Sequence, residues 1–151
     1  LIFREFVNLN IVLVTALISW TIAQALKVLV VFFQTREWNW VLLFEPGGMP
    51  SSHSSMISAA AFSVGLTQGF QSPMFALGTV LAMIVIYDAT GIRYQAGKHA
   101  ELLNKMMTDI SKGKFAQQKR LQEVLGHTPG EAILGTILGI AVAEILWLVA
   151  G

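Results

Sequence analysis

Cysteine is absent from the 151-residue chain, which excludes a disulfide framework, a thiolate nucleophile and a cysteine zinc site. Charge is scarce as well. Asp, Glu, Lys and Arg make up 13% of the residues, against about 25% in ordinary soluble domains, so neither a disordered chain nor a coiled coil fits. The formal net charge of +1 argues against a nucleic-acid partner. What fills the chain instead is hydrocarbon: 54% of the residues are hydrophobic and the mean hydropathy is positive. A chain of this length builds one domain, and this composition makes lipid its solvent. Any chemistry must be assembled from three histidines, nine carboxylates and ten Lys/Arg.

Four apolar segments, at about 10–33, 52–70, 73–92 and 129–150, organise residues 1–151 as a single integral membrane domain. At a rise of ~1.5 Å per residue the first is long enough to cross a hydrocarbon core of ~30 Å. It has no small-x-small cleavage site before a polar mature domain, so it reads as a retained helix and not as a signal peptide. The second segment is rich in small residues, among them Ser54, Ser55, Ser58, Ala59 and Gly65. Small residues let backbones approach closely in lipid, which predicts a central helix. Gly135 and Gly139 form a second such pair in the last segment, and Pro73 and Pro129 stand where a first helical turn tolerates proline. Leu102, Leu103, Met106 and Ile110, interleaved with Lys105, Asp109 and Lys112, predict an amphipathic surface helix. The expected fold class is therefore all-α: a polytopic membrane bundle of about four transmembrane helices plus that surface helix.

The few charges are unevenly placed. The connection 93–128 holds seven of the ten Lys/Arg against three carboxylates, and the positive-inside rule puts such a loop in the cytoplasm. Alternation puts the 34–51 connection on the same side. Lys27, Arg36, His53, Asp88, Arg93, His127 and Glu131 then gather at one face of the membrane. Polar groups at that depth cost free energy, so a cluster of them is a functional hypothesis by default. The expected location is the cytoplasmic face of an inner or plasma membrane.

Three local features carry chemistry. Gly47-Gly48-Met49-Pro50-Ser51-Ser52-His53-Ser54-Ser55 leads straight into an apolar helix. A helix start offers unpaired N–H groups and the positive end of the dipole to an anion, with two serine hydroxyls and a proton-transferring imidazole beside them. The plainer alternative is an N-capping serine and an interfacial histidine. Second, His127 precedes Glu131 by four residues and follows Arg120 by seven, so one helical face can join arginine, imidazole and carboxylate. Thr128-Pro129-Gly130-Glu131 is also a capping box, and both roles can coexist. Third, on an uninterrupted helix Asp88, Gln95 and His99 fall within about 20° of one line. His99, beside Lys98, reads more simply as a solvated residue, whereas Asp88 needs Arg93, Lys27 or a metal as partner.

These runs resemble the divergent branch of the type 2 phosphatidic acid phosphatase (PAP2) superfamily, related to acid phosphatases and vanadium haloperoxidases. The matching stretches are Gln24-Ala25-Leu26-Lys27, Gly47 to Ser54, Tyr87-Asp88-Ala89-Thr90-Gly91-Ile92-Arg93 and Leu125-Gly126-His127-Thr128-Pro129-Gly130-Glu131. The superfamily pattern is Lys-x6-Arg-Pro, Pro-Ser-Gly-His and Ser-Arg-x5-His-x3-Asp. The resemblance implies that His53, in Pro50-Ser51-Ser52-His53, is the general acid. Lys27 fits the first element; Arg36 is nine positions on and is followed by Glu37. Two candidates fit the third element. Arg93-x5-His99 has the spacing but Leu103 at the carboxylate position, whereas Arg120-x6-His127-x3-Glu131 is one residue long and keeps the carboxylate. The second is preferred, with His127 as nucleophile and Glu131 as its orienter.

The implied activity is metal-independent phosphoryl transfer without a cofactor, hydrolysing a lipid phosphate or prenyl diphosphate. Lys27, Ser51, Ser52, Arg93 and Arg120 would hold the phosphate; Asp88, His99 and Arg36 are secondary candidates. One alternative is a non-catalytic phosphate- or lipid-binding membrane protein with a degenerate pocket. Another is a metal-dependent enzyme similar to CDP-alcohol phosphotransferases, suggested by the Asp88-to-Arg93 spacing, although Lys105 stands where that pattern needs a carboxylate. Four helices form a small pocket wall, which favours a homodimer.

Overall fold

Among the described residues, five α-helices follow from the capping signals and apolar runs. In the computed structural model, which describes residues 10–43, 48–111 and 126–150, α1 is Ile11–Thr35, α2 Ser52–Gln68, α3 Pro73–Thr90, α4 Ile92–Ser111 and α5 Pro129–Ala150. A short 3-10 turn, Trp40–Leu43, follows α1, and no strand occurs among the described residues. Asn10 caps α1 by accepting from the N–H groups of Val12 and Leu13, Ser51 caps α2 through Ser54, and Ser72 caps α3 with Pro73 in its first turn. Each cap satisfies donors that a helix start leaves open.

Among the described residues, three helical stretches are long and apolar enough to cross a membrane: Ile11–Thr35, Pro73–Met107 and Pro129–Val149. The 17 residues of α2 span only about 25 Å at the helical rise, and α2 lies at the centre, packed against α1, α3 and α5. The architecture is the expected all-α membrane bundle. Its packing inverts that of a soluble protein. The interior is Ala16, Ala23, Ala59, Ala61, Ala132 and Ala143 with buried serines, while Leu13, Leu81, Met83, Ile137 and Leu148 face outward. In lipid, outward Leu and Ile lose nothing, and helix association relies on close backbone approach and interhelical hydrogen bonds.

Both devices appear at the α2 seams. On α1, Thr15, Ser19, Ala23 and Lys27 are buried at a spacing of four, which is one helical face. Ser19 Oγ lies 2.6 Å from Ser55 Oγ on α2. On α5, a Cβ at Gly135 would collide with the carbonyl of Ser51 and one at Gly139 with the carbonyl of Ser55. That close approach sets the depth at which α2 and α5 meet.

The amphipathic stretch folds as α4, with Leu102, Leu103, Met106 and Met107 exposed beside a Lys98–Glu101 ion pair of 2.9 Å. Gly97, Ala100 and Asn104 lie buried on its other side. Between α3 and α4 the backbone breaks at Gly91 (φ −101°, ψ −86°). The straight line joining Asp88, Gln95 and His99 on an uninterrupted helix is therefore lost, because two helix axes meet at that residue.

Gly139→Leu should lower the thermal unfolding midpoint of the protein in detergent, equivalent to at least about 1–3 kcal/mol of overpacking. Gly130→Ala, where an added Cβ meets nothing within 4 Å, should shift stability by less than about 1 kcal/mol.

Candidate functional site

The C-terminal half of α1, the start of α2, the end of α3 and the start of α5 meet at one end of the bundle. Three hydrogen bonds fix this meeting. Lys27 Nζ on α1 donates to Ser52 Oγ at 3.3 Å. The Ser51 N–H donates to the Glu131 carbonyl on α5, and the His127 N–H to the Ala89 carbonyl on α3, each at 3.0 Å. The N-termini of α2 and α5 are thus adjacent, two positive dipole ends pointing to one region. Gly126 packs so closely on Arg93 and Tyr94 that a Cβ there would strike the Tyr94 backbone nitrogen.

A cavity of about 190 Å³ opens at this end, lined by His53, Asp88, Arg93 and His127 with Ile84, Val85 and Ala89. The two imidazole rings, 74 positions apart in the chain, have centroids 6.3 Å apart at an angle of 52°. His53, on the first turn of α2, is exposed, whereas His127 is 3% exposed. The capping box is complete: Glu131 N–H donates to Thr128 Oγ1 at 3.4 Å, and Thr128 N–H to Glu131 Oε2 at 3.0 Å. The same Glu131 Oε2 lies 3.3 Å from His127 Nδ1. An ionised carboxylate only accepts, so Nδ1 carries the proton and Nε2 keeps a free lone pair. The cap and the orienter are one group.

Burial pushes the His127 imidazole below its ordinary value, Glu131 opposes this through its hydrogen bond and charge, and Lys27 and Arg93 add to the lowering. The shift favours the neutral imidazole, the form in which Nε2 carries a lone pair. Lys27 is 2% exposed, unusual for an ammonium, with the charge of Glu131 as its electrostatic counterpart. Ser51 and Ser52 are buried beside it at the α2 N-terminus. Asp88 pairs with Arg93, Oδ2 to Nε at 2.6 Å.

Of the residues anticipated from sequence, Lys27, Ser51, Ser52, His53, Asp88, Arg93, His127 and Glu131 come together at this end. Arg36 does not join them. It is exposed at the end of α1 in the left-handed region, φ 61°, because the helix terminates there. His99 is exposed on α4 and does not line the cavity. Arg120 lies outside the described residues. Sequence inspection missed Ile84, Val85 and Ala89, which look like any other apolar positions of α3. It also missed Ser19, although small residues at every fourth position of α1 were a readable signal.

A small-residue-packed membrane bundle with a histidine pair at converging helix starts defines the class. Comparison with known proteins narrows it. Residues 8–142 match the model of the Divergent PAP2 family. A Bacillus subtilis (strain 168) relative described as "Uncharacterized membrane protein YuiD" is 35% identical over 148 residues, covering 91% of this chain and 94% of its own length. The chain belongs to the Divergent PAP2 family and is an integral membrane protein. No solved structure matches it.

The His127 resonance should titrate below the ordinary histidine value of ~6.5 in an NMR pH series. Glu131→Gln removes the group that favours the imidazolium, so the midpoint should move still lower.

Proposed function

We propose that this protein is a metal-independent membrane phosphatase that hydrolyses a lipid phosphate or prenyl diphosphate through a phosphohistidine at His127. The observation that carries this reading is the pair of imidazoles 6.3 Å apart on one cavity. An in-line displacement needs a nucleophile on one side of phosphorus and a proton donor beside the leaving oxygen on the other, and two imidazoles lining one cavity can supply both.

In the first step Nε2 of His127 attacks phosphorus, the N–P bond forms and the bond to the leaving oxygen breaks, while His53, which takes up a proton when the anionic ligand lies beside it, donates that proton to the oxygen. Water then attacks phosphorus, the N–P bond breaks, and His53 recovers a proton from the water. Glu131 orients His127 and stabilises the positive charge that develops on its ring. Arg93, on the cavity wall, faces the negative charge on the phosphoryl oxygens, and the two helix starts with Lys27, Ser51 and Ser52, buried behind that wall, add positive field and donors; Arg120 is a further candidate for that role. Ile84 and Val85 give the cavity an apolar side suited to an amphiphilic substrate. Engagement of Asp88 by Arg93 speaks against the metal-dependent alternative, which needs that carboxylate as a ligand.

Purified protein should release phosphate from a lipid phosphate or prenyl diphosphate in excess chelator. His127→Ala and His53→Ala should each reduce the rate by at least about 10²-fold, and acid-sparing quench should trap label on His127 in the wild type alone. Loss of rate in His99→Ala with His127→Ala unaffected overturns the assignment. Lipid binding without turnover makes the protein a binding module.

We further place the site at the cytoplasmic face, on the strength of the basic 93–128 connection. The absence of native cysteine allows a direct test in intact cells. Gln71→Cys should react with a membrane-impermeant maleimide, while Lys98→Cys should react only after permeabilisation; the reverse pattern puts the site outside.

A further inference from the structure

Asp88 and Arg93 are five residues apart, and on a continuous helix five residues turn through about 500°, which leaves the side chains roughly 140° apart and unable to meet. The break at Gly91, between the end of α3 and the start of α4, removes that obstacle. Arg93 Nε then donates to Asp88 Oδ2 at 2.6 Å, a short charge-assisted bond. Both residues line the cavity with His53 and His127. The backbone around them is clamped as well, by Gly126 against Arg93 and Tyr94 and by His127 N–H on the Ala89 carbonyl.

The bond uses Nε and not a terminal nitrogen. A guanidinium is planar and carries five N–H donors in a fixed fork. A carboxylate on Nε therefore sets the plane of the fork and leaves its two terminal nitrogens unspent. An exposed ion pair of this kind contributes little to stability, so its consequence is directional.

We propose that Asp88 is a positioning residue for anion binding: it holds Arg93 by Nε so that the terminal guanidinium nitrogens grip the phosphate group of the ligand. The inference rests on the phosphate-binding reading of this cavity. It has a distinctive sign. A carboxylate that merely sits beside the site repels an anion, and its removal tightens binding, whereas removal of a positioning carboxylate weakens it.

The test is the affinity for inorganic phosphate, measured by calorimetry on the full chain in detergent. Asp88→Ala and Arg93→Ala should each weaken binding about tenfold, and the double variant should be no weaker than either single one. Asp88→Asn, which keeps an oxygen acceptor for Nε, should recover most of the affinity. Tighter binding in Asp88→Ala, or additive losses in the double variant, overturns the proposal. Turnover of a lipid phosphate by the same proteins separates it from the histidine mechanism. Coupled binding without turnover sustains the role of Asp88 and removes that of His127; turnover with a KM unmoved by Asp88→Ala does the reverse.

Discussion

The hydrogen bond from the Ser51 N–H to the Glu131 carbonyl, 3.0 Å long, ties the start of α2 to the first turn of α5, and the rest of the site is arranged around it. Two helix N-termini side by side bring like partial charges together. The chain offsets this locally. The Ser51 carbonyl seats against Gly135, where no side chain intervenes, and the Glu131 carboxylate lies within the first turn of α5. The residual positive field at that end is what a phosphate group finds favourable. The same contact carries His53, on the first turn of α2, toward His127, just ahead of α5.

Lipid as solvent explains why the interior is small and polar. With no gain from hiding leucine, the helices are held by close approach and by interhelical bonds such as Ser19 to Ser55 and Lys27 to Ser52. Such a core can accommodate a buried ammonium. Lys27 sits among serines, with the charge of Glu131 as its counterpart, where a soluble core of leucine would exclude it. Structural packing there rests on Ser51 and Ser52, the same serines that the proposed phosphate site draws on.

The two histidines are held to different degrees. His127 is fixed at its backbone by Ala89 and at its ring by Glu131, whose carboxylate is itself held by the Thr128 N–H. His53 lines the same cavity and is exposed. A buried, oriented imidazole suits attack along one line, and an accessible one suits proton exchange with water and leaving groups. That asymmetry is the one the proposed roles of His127 and His53 require.

Composition and capping chemistry made much of the fold legible. Pro73, Pro129, Ser51 and Ser72 mark helix starts because only a few residue types satisfy open N–H groups, and Gly135 and Gly139 announce a close helix contact because nothing larger fits. The capping box at Thr128–Glu131 was readable for the same reason. Arg36, a secondary candidate by sequence, leaves the site only in the structure, where α1 ends at it. What local rules could not supply was the pairing of elements distant in the chain. The line through Asp88, Gln95 and His99 assumed a straight helix that Gly91 breaks, and that break lets Asp88 meet Arg93. Ile84, Val85 and Ala89 differ in no local property from their lipid-facing neighbours, so only packing selects them as cavity walls. Solvent, helices and the inventory of reactive groups were legible in the chain, because those depend on each residue and its near neighbours. The meeting of His53 with His127 was decided by tertiary structure, because it depends on how closely two backbones, joined by a long connection, can approach.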